Sequence, residues 1–116
     1  MNVLIIEDNE GLAKLFAKQA TNRGHKVELA YDFIDAVAVL KTGQFDLIFC
    51  DIDLGTGHNH GPKALLQSEL HGAKILFMTA VDEYAEAIQP LIDLGYDVEC
   101  LRKPVNLSRF LEILRL

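Results

Sequence analysis

Asp46-Leu47-Ile48-Phe49-Cys50-Asp51 is a continuous apolar run closed at each end by an aspartate. A strand with one wet face alternates apolar and polar side chains. A run without alternation fits a strand covered on both faces, as in a parallel sheet. Val3-Leu4-Ile5-Ile6 reads the same way. Shorter runs at Lys26–Ala30, Lys74–Met78 and Val98–Leu101 complete the set, the central one extending over Phe45–Cys50.

Helical stripes fill the intervals. Leu12, Leu15, Phe16 and Ala20 recur at i, i+3, i+4, i+8. Phe33, Ala36, Val37 and Leu40 follow a similar spacing, as do Tyr84, Ile88, Leu91 and Ile92, and then Leu107, Phe110, Leu111 and Leu114. A weaker helix is expected over about 62–71, with Leu66 and Leu70 as its clearest pair. Asn9, Asp32, Asp82 and Asn106 stand where N-caps belong. Gly24, Gly43, Gly72 and Gly95 stand where a left-handed C′ residue belongs. Pro62 suits a first helical turn. The pattern is (βα)5, an α/β domain with right-handed crossovers and helices on both sheet faces.

Composition agrees with one domain over residues 1–116. Half the residues are hydrophobic and 24% are charged, which excludes a disordered chain. A formal charge of −6 argues against nucleic acid and anionic membrane surfaces as direct partners. The apolar runs are too short to span a bilayer. Met1-Asn2 passes directly into Val3–Ile6 without a leader pattern, so a cytoplasmic location is expected. Cys50 and Cys100 form neither a disulfide framework nor a CxxC zinc motif.

Ligands of such folds bind beyond the carboxyl ends of the strands. There the sequence offers Glu7-Asp8, Asp51, Thr79-Ala80 and Lys103-Pro104. Two carboxylates ~4 Å apart repel by roughly 4 kcal/mol at an effective dielectric of about 20. A hard divalent cation relieves that repulsion, and Mg²⁺ suits a site with few carboxylates and several waters. One carboxylate is then free to act as a nucleophile toward phosphorus, with metal and lysine stabilising the transferring oxygens.

With these residues in order along nearly the whole chain, the sequence resembles the response-regulator receiver domains of two-component signalling. The resemblance rests on Leu4–Asn9, Asp46–Asp51, Leu76–Ala80 and Lys103-Pro104. It implies a flavodoxin-like, doubly wound, five-stranded parallel sheet of order 2-1-3-4-5. It implies Asp51 as phosphoacceptor, with a histidine kinase or histidine phosphotransfer protein as donor. Glu7 and Asp8 would form the acidic pocket for Mg²⁺, with the backbone carbonyl of Asp53 as a further ligand. Thr79 would report phosphorylation and Lys103 would pair with the phosphoryl group. The Lys103-Pro104 bond is often cis in such domains. A homodimer through the fourth and fifth elements is a further expectation of the resemblance.

Departures from the family pattern are also legible. Cys100 stands where receivers usually carry an aromatic residue, with Tyr96 nearby in the preceding loop. The loop after Asp51 is longer and has Gly55 in place of a usual proline. Pro90 inside the fourth stripe is expected to kink or split that helix. The chain ends at Leu116 with no output domain, fitting either a stand-alone domain or a piece of something longer. His58 and His60 flank Asn59 and have the donors for a transition metal, but a glycine-rich loop tip reads first as solvated and polar. One of these histidines tuning phosphoryl hydrolysis is a milder expectation. Asp53 is either a solvent-facing loop residue or a tuner of dephosphorylation. Two alternatives stand beside the switch: a pseudo-receiver that docks proteins without phosphorylation, and a flavin-binding relative, which the acidic Glu7–Glu10 loop disfavours.

Overall fold

The structure is a computed structural model and describes residues 1–54, 60–80 and 84–115. The readings made on Gly55, Gly57, His58, Asn59, Asp82 and Leu116 lie outside these residues.

The described elements alternate throughout: β1 (Asn2–Ile6), α1 (Glu10–Thr21), β2 (Lys26–Ala30), α2 (Phe33–Thr42), β3 (Leu47–Asp51), α3 (His60–Leu66), β4 (Lys74–Thr79), α4 (Ala85–Asp93), β5 (Val98–Arg102) and α5 (Leu107–Leu114). The strands form one parallel sheet in the order β2-β1-β3-β4-β5. β3 is buried along its whole length, which explains its unbroken apolar run. β2, at one edge, alternates between exposed and partly buried positions before Ala30.

Two cores result from the two-residue period of the strands. Leu4, Ile6, Ile48, Cys50, Ile75 and Phe77 face one way and meet Ala36 and Leu40 of α2, Ala64 and Leu65 of α3, and Ile88 and Leu91 of α4. Val3, Ile5, Leu47, Phe49, Leu76 and Met78 face the other way and meet α1 and α5. On that side Phe110 stacks on Phe16 at 4.5 Å and tilts against Phe49 at 4.7 Å.

The helix starts are capped as their sequences require. Asn9 accepts from the Leu12 N–H at 3.1 Å, Asp32 from Asp35 at 2.7 Å and Asn106 from Arg109 at 2.8 Å. Tyr84 occupies the cap of α4 and makes no side-chain cap bond. Gly24, Gly72 and Gly95 take positive φ, as expected of C′ residues. Gly43 does not: its φ is −122°. A Cβ there would stand 2.8 Å from the Phe45 ring, so any larger residue would have to displace that ring.

Other expectations are corrected. α3 covers His60–Leu66, not 62–71. It ends where the Ser68 hydroxyl takes the Ala64 carbonyl at 2.8 Å, competing with helix continuation. Leu65 is fully buried and Leu66 is exposed, so the inward stripe is Gly61, Pro62, Ala64 and Leu65. Leu70 is buried, but beyond the helix. Leu15 and Ile92, counted in their stripes, are exposed. α4 is not split at Pro90; it runs through it, at the cost of one intrahelical donor. Cys50 and Cys100 flank Phe77 in register, two strand spacings or ~9–10 Å apart, and both are free.

Phe110 is fully buried between two aromatic partners. Phe110→Ala is expected to lower stability by ~3–5 kcal/mol in urea unfolding followed by circular dichroism. A loss below about 1 kcal/mol would mean that the α1–α5 side tolerates repacking that this geometry does not provide.

Candidate functional site

The sheet order sets β1, β3 and β4 side by side, so the residues that leave their carboxyl ends share one rim. Glu7 continues the β1–β2 ladder through its N–H to the Ala30 carbonyl at 3.0 Å. Asp8 follows it into solvent. Asp51 is the last residue of β3, and the next N–H, from Ile52, donates to the Met78 carbonyl at 3.1 Å. Thr79 closes β4. Lys103 lies just past β5, tied by its N–H to the Thr79 carbonyl at 2.7 Å. The Lys103-Pro104 bond is cis, as expected.

The side chains converge. Lys103 Nζ stands 2.8 Å from Asp51 Oδ2 and 3.4 Å from Glu7 Oε2. Glu7, Asp8 and Asp51 each present a carboxylate oxygen within 4.8 Å of the others. The Asp53 N–H donates to Asp51 Oδ1 at 3.3 Å. Asp8, Asp51, Asp53, Thr79, Ala80 and Lys103 line an open cavity of about 270 Å³. Glu7, Asp51 and Thr79 are the buried polar side chains of the described residues. All of the site residues named from the sequence therefore meet at one place, except that Asp53 enters through its backbone while its side chain is exposed.

Electrostatics follow burial. Desolvation pushes the Glu7 carboxyl up from 4.5 to about 6; Lys103 opposes this, while Asp51 and Asp8 add to it. Burial pulls the Lys103 ammonium down, but its hydrogen bond to Asp51 and the charges of Asp51 and Glu7 outweigh that, and the net shift is upward. Three oxygen-donor carboxylates against this one ammonium leave a negative site, and hard oxygen donors at this spacing fit a hard divalent cation.

Some contacts were not visible beforehand. The Cys50 thiol, read as plain core, donates to the Asp51 carbonyl at 3.3 Å. Gly61, the second residue of α3, packs against that same carbonyl. Tyr84 and Cys100 pack against the same core, and the phenol of α4's cap residue partly offsets the upward push of burial on the thiol three residues before Lys103. Only a sequence-distant pairing between loop and strand would have revealed it. His60 begins α3 with its ring 5.1 Å from Phe33 and is not among the clustered carboxylates.

The comparisons with known proteins agree with this geometry. The family model of the response regulator receiver domain matches residues 3–115. The transcriptional regulatory protein DltR of Streptococcus agalactiae is 30% identical over 118 residues, covering 100% of this chain and 51% of DltR. The transcriptional regulatory protein CusR of Escherichia coli is 30% identical over 115 residues, covering 99% of this chain and 50% of CusR. The chain thus spans about half the length of the curated relatives it matches. Among solved structures, a response regulator protein from Burkholderia pseudomallei with a phosphorylated aspartic acid, a calcium ion and citrate superposes with a TM-score of 0.76. It is 30% identical and is matched over 97% of this chain and 65% of that one. With five parallel strands in the order 2-1-3-4-5 and the acidic cluster at their carboxyl ends, the chain belongs to the response regulator receiver domain family.

Proposed function

We propose that this domain is a phosphorylation-dependent switch in which Asp51 accepts a phosphoryl group from a phosphohistidine of a histidine kinase or histidine phosphotransfer protein. The observation that carries the reading is the Lys103 ammonium 2.8 Å from a carboxylate that is itself clustered with two more. The phosphorylated aspartic acid and the calcium ion of the Burkholderia pseudomallei relative support it. Glu7, Asp8, Asp51 and the Asp53 backbone carbonyl would hold Mg²⁺, which when bound supplies positive charge to the oxygens of the transferring group.

The protein's own groups do the rest. An Asp51 carboxylate oxygen attacks phosphorus in line with the departing imidazole nitrogen. The new P–O bond forms as the N–P bond breaks, and the electron pair leaves on the imidazole. Lys103, already at Asp51, hydrogen-bonds a phosphoryl oxygen of the acyl phosphate. The Thr79 hydroxyl, which lines the same cavity, turns toward another, and the small Ala80 leaves room for it. Attack of water on phosphorus later breaks the P–O bond to Asp51 and releases inorganic phosphate, returning the free carboxylate. The domain acts on itself and turns over no separate substrate, so it is not an enzyme in the ordinary sense.

The output is a changed α4–β5–α5 face, read by a protein partner or by a second copy in a homodimer. No helix of the described residues is long and apolar enough to cross a membrane. The donor class would place the domain in the cytoplasm. DltR and CusR are transcriptional regulatory proteins about twice as long, so regulation of transcription is the proposed outcome of the whole protein, through partners or segments other than this acidic domain. A docking module without phosphorylation fits less well: it gives no reason to keep Glu7 and Asp51 buried beside Lys103 at the energetic cost of burying charge.

Incubation with acetyl phosphate and Mg²⁺, followed by intact-mass measurement, is expected to add one phosphoryl group. The addition should vanish without Mg²⁺ and in Asp51→Asn. Retention of the label in Asp51→Asn would remove Asp51 as acceptor.

A pH dependence follows from Glu7. Its pKa in the folded chain is raised, so without cation its contribution to stability is full below about pH 4.5 and is lost as the pH rises through about 6. That loss amounts to at most ~2 kcal/mol. Cation binding needs the carboxylate, so Mg²⁺ affinity rises over the same window and levels off above it. Thermal unfolding at pH 5, 6 and 7, with and without Mg²⁺, should give a stabilisation by Mg²⁺ that grows with pH. A Mg²⁺ effect equal at all pH values would sever Glu7 from the metal.

A further inference from the structure

We infer that Gly61, with the Cys50 thiol, is a positioning residue that fixes the Asp51 peptide and thereby the direction of its carboxylate. This rests on the reading of Asp51 as phosphoacceptor. The first turn of α3 lies directly behind the end of β3. A Cβ on Gly61 would run into the Asp51 carbonyl oxygen and would stand 3.0 Å from the carbonyl carbon and 2.9 Å from Cys50 Sγ. The obstacle is backbone, which no rotamer change relieves. Gly61 takes no positive φ, so contact and not conformational freedom requires glycine here.

The rest of the peptide is held from other sides. The Gly61 N–H donates to the Ile52 carbonyl at 3.0 Å, and the Ile52 N–H donates to Met78 at 3.1 Å. The Cys50 thiol donates to the Asp51 carbonyl at 3.3 Å. The Asp51 side chain leaves this peptide toward Lys103 and the Asp53 N–H. Displacing the peptide by a few tenths of an ångström therefore misaims the attacking oxygen. Misplacement by ~1 Å costs a reaction up to about 10²-fold.

The test compares Gly61→Ala with Gly72→Ala in the full chain. Gly72 lies before the opposite end of β4, has a φ of +77° and would present its Cβ to nothing within 4 Å. Gly72→Ala is thus strained without touching the site. Rates of phosphorylation by acetyl phosphate in excess Mg²⁺ are read well below each unfolding midpoint, along with the Asp53 amide proton shift by NMR. Gly61→Ala is expected to lose at least tenfold in rate and to shift the Asp53 amide; Gly72→Ala is expected to do neither. Wild-type rate and an unmoved amide in folded Gly61→Ala overturn the inference. If Gly61→Ala does not fold, Cys50→Ala and Cys50→Ser decide. Loss in the alanine variant with recovery in serine, which keeps a donor, upholds it; wild-type behaviour in both overturns it. A wild-type chain that takes no phosphoryl group sinks the acceptor reading instead, and the amide shift then decides the positioning alone.

Discussion

The Lys103 ammonium is the group on which the carboxylate rim depends. Glu7 and Asp51 are almost wholly buried, and carboxylates out of water lose their hydration. Lys103 meets both, at 3.4 and 2.8 Å, and so offsets part of that loss. It does not offset all of it, because desolvation still holds Glu7 at about 6. The site is therefore left with an electrostatic deficit. A protein evolving toward stability alone would replace such a cluster with apolar residues of similar volume. Its presence in an otherwise well-packed fold fits the proposed phosphoryl transfer.

The parallel sheet makes the convergence possible. Because neighbouring strands run the same way, all carboxyl ends share one rim, and β1, β3 and β4 lie adjacent. Lys103 reaches the rim from the far side of β4, held by its own N–H on the Thr79 carbonyl. One backbone hydrogen bond thus fixes the spacing between the lysine and the hydroxyl residue of the same cavity. Packing on the two faces keeps the strands from sliding: the α2–α3–α4 core on one side, and the Phe16–Phe110–Phe49 cluster on the other.

The architecture was legible because it rests on local patterns. Unbroken runs marked β1 and β3, Asn9, Asp32 and Asn106 marked helix starts, and the residues at strand ends marked the site. What could not be read depends on contacts between distant segments. Gly43 looked like a left-handed terminator, yet serves the approach of Phe45. The extent of α3 turned on a Ser68 hydroxyl competing for a carbonyl, which periodicity does not record. The closeness of Gly61 to Asp51, and of Tyr84 to Cys100, arises only once α3 and α4 are docked.

That docking gives α4 a particular standing on the proposed switching face. Its start has no side-chain cap bond and Pro90 removes an intrahelical donor, so its own hydrogen bonds hold it less firmly than those of α1, α2 or α5. Its position is set instead by tertiary contacts: Ile88 and Leu91 in the core, and Tyr84 on Cys100. Cys100 pairs with Phe77 in the register that also pairs Thr79 with Arg102, the residue before Lys103. A rearrangement of Thr79 and Lys103 around a phosphoryl group would therefore act on the same two-strand ladder that carries Tyr84's partner. Where receivers usually turn an aromatic side chain on β5, this domain has an aromatic ring at the cap of α4 and a thiol on the strand. On the proposed reading, a coupling along this ladder would move α4 directly, since a helix held mainly from outside is the element such a pull displaces at least cost.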